Sequence, residues 1–261
     1  MAPTPWRWLA LCGLLGLGAL IAWHVATLDP KKEGTKLPGP GPTFRDAWEL
    51  LKDPFYDKGS NDKGIGVYAA YSVGRVLAGF LAGTAMAIVL GTILGLNRTI
   101  FQACSPYMQI LKAVSPIAWM PLFMYTVKDA AWVAFLVVFM ASLWPTVATT
   151  AFGVANIRKD LLNVSRMLQL TGSERLFRVI LPAAGPTILQ GLRISYGAAW
   201  VAVVPAEALL GTLGLGYFIW NEWNGLNLTS LIFAVILIGL IGVILELGFN
   251  RLAKRIAYAE A

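Results

Sequence analysis

The sequence predicts an all-α integral membrane protein with about six transmembrane helices, and composition, apolar runs and charge placement each point there. Of its 261 residues, 57% are hydrophobic and 13% charged, with a mean hydropathy of +0.65. A soluble domain carries roughly 25% charged residues. Six apolar segments stand out, about Trp8–Leu28, Ser72–Leu96, Tyr107–Val127, Ala130–Phe152, Ile188–Leu210 and Leu228–Phe249. Each is long enough to span a hydrocarbon core of about 30 Å. The net charge of +7 sits beside these segments, where positive charge reports topology rather than nucleic-acid binding.

The first segment, within residues 1–28, follows a single arginine, Arg7, and is longer than the apolar core of a secretory signal, so it reads as a retained helix. Its His24, the only histidine, suits a satisfied or solvent-facing position better than a proton relay. Residues 29–66 form a long external segment that opens with Pro30, Pro38, Pro40 and Pro42 among glycines. A short amphipathic helix capped by Thr43 is expected next, with Phe44, Trp48 and Leu51 on one face, suited to the membrane surface. The Asp57–Gly64 stretch lacks the alternating ligands and terminal Glu of a calcium loop. From residue 67 to 254 the remaining spans form one membrane domain. Gly79/Gly83 and Gly91/Gly95 in the second span allow close helix approach. Lys112, Pro116 and Pro121 interrupt the third. Cys12 and Cys104 lie in or beside apolar runs and suggest neither a disulfide framework nor a metal site.

With the N-terminus inside, the cytoplasmic set is Arg7, Arg98, Arg158, Lys159, Arg166, Arg175, Arg178, Arg193, Arg251, Lys254 and Arg255, against Asp160, Glu174 and Glu260. The external 29–63 segment balances its charges. That asymmetry places both termini and the polar loop 156–182 in the cytoplasm. Within the loop, Thr171-Gly172-Ser173-Glu174 is a capping box for a short helix that must stop or bend near Pro182. A helix this short needs a partner surface, either anionic lipid or another protein.

The loop resembles the EAA loop of permease subunits in binding-protein-dependent ABC importers: EAA, three residues, Gly, nine residues, then I-x-L-P. Anchored on Val179, Leu181 and Pro182, the pattern puts Asn163-Val164-Ser165 in the EAA place and Gln169 in the Gly place. Val114-Ser115-Pro116-Ile117-Ala118-Trp119-Met120-Pro121, Ser142-Leu143-Trp144-Pro145-Thr146, Ala206-Glu207 and Trp220-Asn221-Glu222-Trp223-Asn224 are similar to the nitrate/taurine/bicarbonate branch. Pro205 stands where a small residue is usual there, and Asn221 where an acid is common.

This resemblance implies the type I ABC importer transmembrane fold with a cytoplasmic coupling helix, in a bacterial inner-membrane permease that is not itself an enzyme. Cargo would be a small inorganic anion, nitrate or nitrite first, with cyanate, bicarbonate or a sulfonate such as taurine as alternatives. Expected partners are cytoplasmic ATPases, a second permease copy, a periplasmic or lipid-anchored binding protein and membrane lipid, but no nucleic acid. The chain has no G-x-x-x-x-G-K-[ST] loop, so it holds no cofactor, and ATP and Mg²⁺ would belong to the ATPases. The implied coupling residues are Gln169, Leu170, Thr171, Gly172, Ser173, Glu174, Leu176, Phe177 and Pro182. Leu170–Ile180 would be the coupling helix, with Leu176 and Phe177 as its knobs. Candidates along the substrate pathway are Lys112, Trp119, Arg75, Glu207 and Trp220. Lys112, in the inner third of its span, could meet an anion or snorkel to the interface. Arg75 and Glu207 sit near the outer ends of their spans and could pair, which would make Glu207 structural. The Trp220–Asn224 run suits an external gate, a docking surface or an aromatic belt. A gradient-driven carrier is the competing class, but no internal repeat supports it. No cluster of catalytic residues supports an intramembrane enzyme.

Overall fold

The structure is a computed structural model that describes the backbone of residues 5–27, 37–59 and 62–258, and side chains except those of 5–13, 15 and 252–258. Expectations for residues 29–36, Asn61 and Glu260, and for the side chains of Arg7, Cys12, Lys254 and Arg255, lie outside the described residues.

Eleven α-helices follow one another among the described residues: α1 Pro5–Thr27, α2 Pro40–Lys52, α3 Ile65–Leu96, α4 Arg98–Ala113, α5 Met120–Val127, α6 Ala130–Ala155, α7 Lys159–Met167, α8 Gly172–Arg175, α9 Leu181–Leu210, α10 Leu215–Asn224 and α11 Leu228–Tyr258. Four continuous helices are long and apolar enough to cross a membrane, and the bent pair around α4 and α5 makes a fifth. With 23 residues, α1 is about 34 Å long, enough for a sixth.

Helices α3, α6 and α9 form the centre. The glycine pairs of α3 face α6: a Cβ on Gly83 would lie 2.7 Å from the Phe139 carbonyl oxygen, and one on Gly91 2.7 Å from Thr150 Cβ. Only glycine lets the two axes come this close. Between α6 and α9, the buried Thr146 and Ser195 hydroxyls bond at 2.6 Å.

Three sequence expectations are corrected. The third span is not a straight Tyr107–Val127 helix. Its halves, Arg98–Ala113 and Pro116–Val127, meet at 87°. Pro116 disfavours helical backbone at the residue before it, and Val114 and Ser115 are extended, with ψ of 125° and 129°. The amphipathic helix between the first two spans starts at Pro40, not at Thr43. Prolines fit a first helical turn, and the Thr43 hydroxyl instead donates to the Gly39 carbonyl at 3.0 Å. Its inward stripe is Thr43, Ala47 and Leu50, with Asp46 accepting the Thr229 hydroxyl of α11. Phe44, Trp48 and Leu51 point outward as expected. Finally, the helix after the capping box neither stops nor breaks at Pro182. It runs for 39 residues from Gly172 to Leu210. A π-helical turn at Leu176–Ile180, with the Leu181 N–H donating to the Leu176 carbonyl, widens the backbone just ahead of the proline that lacks a donor.

Candidate functional site: a helical hairpin, a broken polar span and a buried ionic knot

The 156–182 loop folds as a helical hairpin. Its first arm, α7, was not foreseen as a helix, although Leu161, Leu162 and Ser165 alternate with charges at helical spacing. Helix α7 ends in a Schellman turn: Leu170 N–H reaches the Ser165 carbonyl at 3.3 Å and Gln169 N–H the Arg166 carbonyl at 3.0 Å. That turn needs a left-handed residue, and Gln169 supplies it with φ of 51°. The family pattern's glycine position therefore has a backbone cause. Leu170 and Thr171 form the link, so the second arm begins at Gly172 rather than at Leu170. The Thr171–Glu174 capping box forms, and the Glu174 carboxylate accepts the Thr171 N–H at 3.1 Å and its hydroxyl at 2.8 Å.

Burial sorts the apolar residues of the hairpin. Leu176 turns inward, half-buried, onto the cluster of Val154, Ile180, Ala184 and Ile188. It is therefore not a free knob, a correction to the sequence expectation. Phe177 is 66% exposed and Met167 83% exposed, with Leu168 and Val164 also outward. Gly172 and Ser173 are exposed, and Pro182 is half-buried. A cavity of about 830 Å³ runs between the arms, lined by Phe152, Arg158, Leu161, Leu168, Arg178 and Pro186 among others.

The broken span carries a polar stripe. Arg98, Gln102, Ser105, Gln109 and Lys112 recur at spacings of four and three, so they share one face of α4. Phe101, Cys104 and Met108, on the adjacent face, pack toward Leu143, Val147 and Ala87. Gln109 donates to Ser105 at 3.5 Å. Lys112 stands exposed in the last turn before the break, one turn past the buried Met108. Beyond the break, Trp119 stacks on Phe123 with ring centroids 6.3 Å apart. Of this stripe the sequence reading singled out Lys112 alone; a 3.5-residue polar period was the signal available for the rest.

At the end of the bundle away from the hairpin, Arg75 of α3 pairs with Glu207 of α9, which is completely buried. The Glu207 carboxylate also accepts the Ser72 hydroxyl at 2.7 Å and the Gly216 N–H at 3.1 Å. Ser72 in turn accepts the Leu215 N–H at 2.8 Å, and Arg75 donates to the Leu213 carbonyl at 3.2 Å. Gly214 has no side chain because a Cβ there would collide with the carboxylate. The knot thus ties the Gly211–Gly216 turn to α3, satisfying a charge pair that burial would otherwise penalise. Trp220 lies apart on α10, half-exposed beside the more exposed Trp223. Thus Arg75 and Glu207 come together, Lys112 and Trp119 flank the break, and Trp220 joins neither group.

Comparison with known proteins matches this architecture. The family described as binding-protein-dependent transport system inner membrane component matches residues 65–258. A nitrate import permease protein, NrtB, of Synechocystis sp. is 36% identical over 241 residues, covering 92% of this chain and 86% of its own. A bicarbonate transport system permease protein, CmpB, of Synechococcus elongatus is 37% identical over 241 residues, covering 91% and 85%. A solved inward-facing structure of the MetNI methionine ABC transporter superposes with a TM-score of 0.62 at 17% identity, covering 83% of this chain and 98% of that one. The likeness to that structure concerns the fold alone. A multi-pass membrane protein whose helices from α3 onward, broken span and 156–182 hairpin fall within the matched region, this chain belongs to the binding-protein-dependent transport system inner membrane components, in the branch that holds nitrate and bicarbonate permeases.

Proposed function

We propose that this chain is the membrane-spanning permease subunit of an ATP-driven importer for a small inorganic anion, nitrate or nitrite in the first place. The observation that carries this reading is the 36% identity to a nitrate import permease across 92% of the chain. The polar stripe on α4 supports it. A helix inside a bilayer does not turn Gln102, Gln109 and Lys112 toward lipid tails, so that face suits a water-filled pathway or a second copy. Lys112, beside the 87° break, is the cation positioned to meet an anion there. Bicarbonate is the second reading, favoured by the 37% identity to a bicarbonate permease.

ATP and Mg²⁺ would be held by cytoplasmic ATPase subunits, since this chain has no phosphate-binding loop. The exposed Val164, Met167, Leu168 and Phe177 suit insertion into a groove on such a partner. The helix from Gly172 to Leu210 has 39 residues and is about 58 Å long, and it carries Glu207 near its far end. A tilt imposed at the hairpin would therefore reach the external knot, a rigid-body switch between two arrangements. A binding protein would deliver cargo at the outer face near α10, and both termini would lie in the cytoplasm. The test is uptake by proteoliposomes holding this chain, its ATPases and its binding protein. ATP-dependent entry of labelled nitrate is expected. Entry of bicarbonate in its place would select the second reading. Uptake indifferent to an ATPase-site mutation would point to a gradient-driven carrier and overturn both.

A further inference from the structure

A smaller cavity, about 300 Å³, opens where α3 passes into α4 beside the hairpin. Arg98 from the start of α4, Lys159 from the start of α7 and Arg175 from the end of α8 all line it, and no carboxylate does. None of the three cations has a salt-bridge partner among the described residues. Arg175 Nε is buried without an acceptor. The neighbouring acid, Glu174, is engaged with Thr171 and Arg178 instead. Asn156, also in the wall, spends its amide N–H on the Phe152 carbonyl. Topology asks only for positive charge on the cytoplasmic side. It does not bring three cations from three elements around one cavity and leave a donor buried with nothing to bond. Like charges brought together this way repel unless a negative group lies among them.

We propose that this cavity binds an oxyanion of the phosphate type, held by Arg98, Lys159 and Arg175 and closing the seam between the α3–α4 turn and the coupling hairpin. The other wall is apolar, with Leu96, Val154, Ile157, Leu162 and Ile180, so it suits either the headgroup of an anionic phospholipid or free phosphate. Guanidinium groups bind such oxygens through paired, charge-assisted hydrogen bonds. Binding here requires no transport, so its failure and the failure of the importer reading are separable.

The full chain would be placed in phosphatidylcholine nanodiscs and its melting followed as inorganic phosphate is added at constant ionic strength. In parallel, native mass spectrometry would count phosphatidylglycerol retained from mixed-lipid discs. Arg98→Gln and Arg175→Gln are each expected to weaken binding about tenfold. Arg251→Gln, an exposed cation on α11 outside the cavity, serves as the control and should bind like the unaltered chain. Saturable stabilisation by phosphate that is lost in the first two variants assigns a free oxyanion. No phosphate response, with phosphatidylglycerol retained except in those two variants, assigns a headgroup. Equal behaviour of all chains toward both probes overturns the proposal. So does equal loss in Arg251→Gln, because it would reduce the effect to general charge.

Discussion

Changing Glu207 to Gln keeps the shape of the side chain and removes its charge. Arg75 then faces no counter-charge, with only 11% of its side chain exposed. Ser72 and the Gly216 N–H keep an acceptor, since a Gln amide still offers one oxygen. The loss is therefore chiefly that of one partner of a buried pair, about 3–5 kcal/mol. Removing both charges with Arg75→Met and Glu207→Gln together leaves no buried ion, so the double variant should be more stable than the two single losses sum to, by about 2 kcal/mol. Thermal melting of the purified chain in detergent, read by fluorescence-detected size exclusion, measures all four corners of the cycle. Glu207→Gln melting with the unaltered chain, or single effects that simply add, would refute the claim that this pair organises the Gly211–Gly216 turn.

Further expectations follow from the other elements. Gln169→Gly should stabilise the hairpin turn by about 1 kcal/mol, because a left-handed residue with a Cβ is strained; slower hydrogen exchange at the Leu170 amide reports it, and Gln169→Val should do the reverse. Phe177→Asp and Met167→Asp should abolish co-purification with the ATPases while leaving membrane insertion intact, so normal co-purification would remove the hairpin's assigned role. Lys112→Gln should lower anion uptake while Lys112→Arg retains most of it; equal rates would mean the cation merely reaches for the interface. In the segment between α2 and α3, hydrogen bonds from Lys63 and then the Gly59 N–H hold the Asp57 carboxyl below its ordinary value. The turn is therefore strengthened at neutral pH and loses that contribution as pH falls through the lowered pKa. Protection of the Gly59 amide should drop in acid, and Asp57→Asn should flatten that dependence.

Several local features were legible before any coordinates, because each depends on a few adjacent residues. Apolar runs longer than a bilayer demands gave helices α3, α6, α9 and α11. Thr171 and Glu174, three residues apart, specified a cap that forms between them. The pairing of Arg75 with Glu207 followed from depth alone, since two opposite charges at the same end of their spans have few other partners. Element boundaries were less legible. Prolines were read as stops, yet Pro182 is absorbed by a π turn and Pro40 and Pro42 open a helix. Proline forbids a donor without saying whether the backbone answers by ending, bending or widening. The polar stripe of α4 was hidden because an apolar average conceals a face.

The sequence by itself determined that the chain lives in a membrane, which loop carries its charge and which family pattern that loop follows. Those properties are sums over neighbouring residues. Tertiary structure alone decided that Leu176 turns inward while Phe177 stays outward, and that Lys112 stands beside an 87° break. It also decided that Ser72, Arg75 and Glu207 meet the turn at Gly216, and that Arg98, Lys159 and Arg175 surround one cavity. These are meetings between elements far apart in the chain. They depend on how closely α3, α6 and α9 can approach, and the bare α3 glycines facing α6 help to set that distance.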